Sequence, residues 1–88
     1  MQRRVVDVKR AINLAVDYIQ AMDRELLPVH DLRLEETVIN DHDNWLITLS
    51  TSDSSMPIPF RRLFKTIEID GRSGEILAMR IRNPEIAA

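Results

Sequence analysis

Two imidazole–carboxylate neighbours, His30-Asp31 and His42-Asp43, come nearest in this chain to the residue types and spacing of acid–base chemistry. Adjacency in sequence is not orientation, and hydrolysis would also need a nucleophile and an oxyanion-stabilising group within reach of the base. The serines between Ser50 and Ser55 lie in a stretch without the sharp elbow motif that makes a serine reactive. Glu35-Glu36 is a further carboxylate pair, but neighbours on a strand point to opposite faces. Asp41-His42-Asp43-Asn44 opens like a calcium loop, with oxygen ligands at alternate positions. Leu46 stands where that loop needs glycine, and its closing glutamate is missing, so a polar hairpin turn is expected instead. The chain has no cysteine, which excludes thiolate nucleophiles, thiolate metal sites and disulfides. No catalytic, cofactor-binding or metal-binding residue is assigned, and an enzyme is not expected.

The elements that would position these groups must come from 88 residues, enough for one core and one domain spanning 1–88. Apolar residues at 44% and charged residues at 30% are those of a folded soluble domain. The net charge of −2 is the sum of an acidic first half and a nearly balanced second half, far from the basic excess of nucleic-acid binding. No apolar run is long enough to span a membrane, and Asp7, Lys9 and Arg10 interrupt any leader-like start. A cytoplasmic protein is expected, with partners that are neither nucleic acid nor membrane.

From Asp7 to Leu27 the residues Val8, Ile12, Ala15, Val16, Ile19, Met22 and Leu26 recur every three or four positions, which predicts an amphipathic helix. Asp7 is its expected cap and Pro28 its stop. Leu14 falls outside the stripe and is expected to be exposed. Four strands follow. Leu32, Leu34 and Val38 alternate with polar residues, with a bulge near Glu36. Trp45, Ile47 and Leu49 form the second strand, and Trp45 is expected to pack in the core with its indole N–H seeking a partner near the turn. Residues 51–59 are expected to be irregular. Residues 60–70 and 75–82 form the last two strands, joined by a corner in "EIDGRSGEIL" where glycine tolerates positive φ. The expected fold class is α+β: an N-terminal helix packed on one face of a four-stranded antiparallel meander. Thr48, Ser50, Thr66, Glu68, Arg80 and Arg82 should occupy the wet opposite face.

The stretch "WLITLSTSD...FKTIEIDGRSGEILAMRI", preceded by "DVKRAINLAVDYI", resembles the PepSY-like module, and the arrangement is similar to the broader cystatin-like fold. The resemblance implies a non-catalytic binding or inhibitory module associated with peptidases or the cell envelope. A further likeness is to small toxin-immunity proteins, which implies a cytoplasmic protein that neutralises a toxin. The competing class is a small-ligand carrier or enzyme with a pocket between helix and sheet, lined by His30, His42 or Tyr18. For the binding reading, Met56, Ile58 and Phe60, rimmed by Arg61 and Arg62, are the expected contact residues for a protein partner. Self-association into a homodimer is expected through an open strand edge or through the outer face at Ile76 and Ala78.

Overall fold

Asp7 starts the helix as its sequence position requires: its carboxylate accepts from the Arg10 N–H at 2.8 Å, and its carbonyl accepts from the Ala11 N–H at 2.9 Å. The structure, a computed structural model, describes residues 5–25, 31–52 and 62–82. They form, in chain order, α1 (Val8–Glu25), β1 (Arg33–Ile39), β2 (Trp45–Ser52), β3 (Arg62–Ile69) and β4 (Ile76–Arg82). The strands make one antiparallel sheet in the order β1-β2-β3-β4, the expected meander.

The register divides the side chains between two faces. Trp45, Ile47, Leu49 and Thr51 of β2 stand opposite Ile69, Ile67, Lys65 and Leu63 of β3. On this side lie Ile47, Leu49, Ile67 and Ile69, all fully buried beneath α1, which packs on β2 and β3. The helix meets them with Ala11, Ala15 and Ile19, one turn apart, and the two alanines let its backbone come close to the sheet. Tyr18, Ile12, Val16 and Met79 close the margins of this core.

Trp45 does pack against the core, but its indole N–H donates to the Val6 carbonyl at 2.7 Å, in the segment before α1. Leu14 is not exposed as its place on the helical wheel suggests: it packs against the core and abuts Gly74. The reason is that the β3–β4 turn rises beside the helix and supplies a surface that a wheel drawn for α1 alone does not contain. Thr51 and Ser52, expected in the irregular segment, continue β2 by pairing with Leu63 and Arg62.

The bulge in β1 falls between Leu34 and Glu36 and leaves Glu35 as the extra residue. It also changes which way the rest of the strand faces. Leu34 stands opposite Leu49 on the helix side, whereas Val38 stands opposite Leu46 on the outer side. The two residues therefore do not share the single apolar face that simple alternation gives them. A second irregularity at Glu68/Ile69 places Ile76 opposite Ile69, so Ile76 packs against the core and not on the outer face.

Candidate interaction site

The outer face is built as the alternation predicts, with Thr48, Ser50, Thr66, Glu68 and Arg80 all in register on it. Its centre is not wet. Thr48, Ser50 and Thr66 are buried, and the Thr48 and Thr66 hydroxyls are bonded to each other at 2.9 Å. Small side chains in a row between long ones leave little surface, and the hydroxyl pair satisfies two groups that burial would otherwise strand.

At one end of this face lies a network centred on Arg62. Its Nε donates to the Ser50 hydroxyl at 2.8 Å and one Nη to the Ser50 carbonyl at 3.1 Å. The guanidinium also grips Asp31 twice, through the carboxylate at 2.8 Å and through the backbone carbonyl. Asp31 has φ of 55°, the left-handed region, and this conformation presents both of its oxygens to one arginine. Ser50 in turn donates to Glu35 at 2.6 Å, and Arg33 pairs with Asp31 at 3.1 Å. Hydrogen bonding to Arg62 holds the Asp31 carboxyl below the usual aspartate range. Glu35 and Glu36 do not point to opposite faces, because the bulge leaves Glu35 bonded to outer-face Ser50 while Glu36 stands opposite outer-face Thr48.

At the other end two turns are stitched together. Asn40 and Asn44 donate their side-chain amides to the Glu68 carboxylate at 3.0 and 3.1 Å, and Arg80 approaches its other oxygen at 3.6 Å. These bonds, Asn44 first, keep Glu68 ionised below the normal glutamate range. The Asn40 side-chain carbonyl accepts from the backbone of His42 and Asn44, which shapes the β1–β2 turn. Asn44 also accepts from the Gly71 N–H at 3.1 Å, tying that turn to the next. In the β3–β4 turn Asp70 accepts from the backbone of Arg72 and Ser73, with Ser73 the stronger cause of its lowered pKa. Gly74 takes φ of 81°, as this corner requires of a glycine. The Gly71 carbonyl accepts from Val5 and Val6, so the two residues before Asp7 are fastened to the same corner.

A shallow cleft of about 300 Å³ between the turns is lined by His42, Asp43, Asn44, Asp70, Gly71 and Arg72. A similar groove runs along the outer side of α1 past Asp7, Arg10 and Asp17. Among the described residues, no group of three or more histidine, aspartate or glutamate side chains is arranged to hold a metal ion. The pair His42-Asp43 sits in the turn beside the cleft, and His30 lies outside the described residues.

Of the expected contact residues, Met56, Ile58, Phe60 and Arg61 also lie outside the described residues. Arg62 is described, and its side chain is only 15% exposed because it is spent on the network with Ser50 and Asp31. Sequence reasoning missed this role, and also the clasp of Asn40, Asn44 and Glu68. Its one signal was the density of amide and acid residues in 40–44, which marked the turn and not its partner 24 residues on.

The sheet edges supply the apolar part of the candidate surface. Helix α1 covers the central strands, and the edge strands keep Leu34 at 47%, Val38 at 40%, Leu77 at 45% and Ile81 at 60% exposure. Nothing matched the chain among protein-family models, curated proteins or solved structures.

Proposed function

We propose that this chain is a small non-enzymatic protein-binding or inhibitory module, PepSY-like in its helix-and-meander order, that acts by covering a surface of its partner. The observation that carries the reading is the uneven cover of the sheet: one helix spans the two middle strands and leaves apolar side chains on both edges. A small-ligand carrier would need a hollow between helix and sheet. Among the described residues that space is occupied by Ala11, Ala15, Ile19, Ile47, Leu49 and Ile67, and the clefts described above lie on the outer surface. Among the described residues no helix is long and apolar enough to cross a membrane, and a cytoplasmic setting is part of the proposal.

In this reading Met56, Ile58, Phe60 and Arg61 face the partner, and Arg62 anchors their end of the chain to the sheet. Whether the partner is a peptidase or a toxin, the latter making this an immunity protein, follows from what the protein captures. The test is to immobilise the protein, identify a partner captured from native lysate, and compare its affinity for Met56→Ser/Ile58→Ser. Affinity should fall about tenfold or more, a loss of about 1.4 kcal/mol, with an unchanged circular dichroism spectrum. Unchanged affinity removes the 56–61 segment from the site. A stoichiometric small molecule retained in native mass spectrometry would replace the binding module with a carrier.

A further inference from the structure

Among the described residues the sheet ends in β1 and β4, and these two edges are not equivalent. Open edges are normally blunted by bulges and charges. β1 is so blunted: Glu35 bulges in mid-strand, flanked by Arg33 and Glu36. β4 has its irregularity at its start and then runs regularly from Ala78 to Arg82 against β3. Its two charged residues, Arg80 opposite Thr66 and Arg82 opposite Phe64, both stand on the outer face, and Arg80 is already near Glu68 at 3.6 Å. Its regular helix-side residues are apolar, Met79 opposite Ile67 and Ile81 opposite Lys65, while Leu77 is the extra residue of the irregularity, between Ile76 opposite Ile69 and Ala78 opposite Glu68.

We propose that β4 pairs antiparallel with β4 of a second copy of this chain, about a two-fold axis at Met79, to give one continuous eight-stranded sheet. In that register Leu77 of each copy stands opposite Ile81 of the other, and Met79 faces its own counterpart. Ile81, the most exposed apolar side chain of β4 at 60%, is thus brought against the irregular stretch of strand at Leu77 of the other copy, itself 45% exposed in the single chain. On the outer face Ala78 stands opposite Arg80, so the two arginines are not directly opposed. The same operation on β1, centred on Glu36, would set Glu36 against Glu36 and interrupt the ladder at the bulge. A mixed contact of β1 with β4 would leave a free edge at each end and grow without closing. The isologous β4 contact closes at two copies, and it stands independently of the partner proposed above.

Sedimentation velocity from micromolar to millimolar protein should show a monomer passing into a single dimeric species. Ile81→Lys should shift that transition to at least tenfold higher concentration with its circular dichroism spectrum unchanged, whereas Val38→Lys on the other edge should leave it in place. The chain has no cysteine of its own, so single introduced cysteines report the register. Opposed residues have Cβ atoms about 4.5–5.5 Å apart, close enough to bridge with small adjustment. Met79→Cys should therefore form a covalent dimer under mild oxidation, well ahead of Leu77→Cys. A protein that stays monomeric throughout would overturn the proposal. So would a ladder of higher species, a dimer dissolved by Val38→Lys and not by Ile81→Lys, or faster bridging at residue 77.

Discussion

Gly74 shows how much of this fold turns on one missing atom. Its φ of 81° strains any residue with a Cβ, and a Cβ there would meet Leu14 Cδ1 at 3.2 Å and Val6 Cγ2 at 3.6 Å. Gly74→Ala should therefore cost about 1–2 kcal/mol in urea denaturation. Part of that cost is the contact with Leu14, so in a Leu14→Ala background the same substitution should cost measurably less. Equal costs in both backgrounds would assign the whole effect to the backbone and none to the contact. Glu68 presents the complementary case, a side chain whose loss strands others. Glu68→Ala leaves the Asn40 and Asn44 amides without their acceptor and should destabilise by about 1–2 kcal/mol.

Among the elements, α1, β2 and β3 were the most legible in the sequence, because Ala15 and Ile19, Ile47 and Leu49, and Ile67 and Ile69 repeat with the period of the structure they form. β1 was half legible: a bulge was readable from Glu36, but its effect was not, since moving Val38 to the face opposite Leu34 depends on where the ladder with β2 slips. The candidate site was less legible still. Arg62 reads as a rim arginine in "FRRLF", and only the strand register brings it to Ser50 and Asp31. Arg62→Ala should consequently loosen β1, which that arginine ties in through Asp31 and Ser50. A loss of about 1–3 kcal/mol is expected, with faster amide exchange concentrated in 31–36. Arg62→Lys should not restore it, because an ammonium cannot span the same acceptors. Uniform exchange across the sheet would show that Arg62 is not a local strut.

At the scale of the molecule, both ends of the sheet are fastened by carboxylates whose pKa values lie below their ordinary values: Asp31 at one, Glu68 and Asp70 at the other. In each the folded state favours the ionised form, so between the depressed and ordinary values the unfolded chain binds more protons than the folded one. Stability from these groups is present above the ordinary values, near pH 4, and is lost as pH falls through the depressed ones. The urea midpoint should hold steady from pH 7 to about pH 5 and decline below that. The two ends should respond differently to salt. Asp31 is held first by the charged Arg62, whereas Glu68 and Asp70 are held first by uncharged amides, the Asn44 side chain and the Ser73 backbone. Concentrated salt should weaken the Asp31 contribution more than the others, which lean on Arg80 and Arg72 only secondarily. The decline should therefore persist in salt and become shallower, by the Glu68 share, in Glu68→Gln, where a carbonyl oxygen can still accept from both asparagines without titrating while Asp31 and Asp70 still do. A decline of the same slope in wild type and Glu68→Gln would place the acid-sensitive group outside the clasp that joins the two turns.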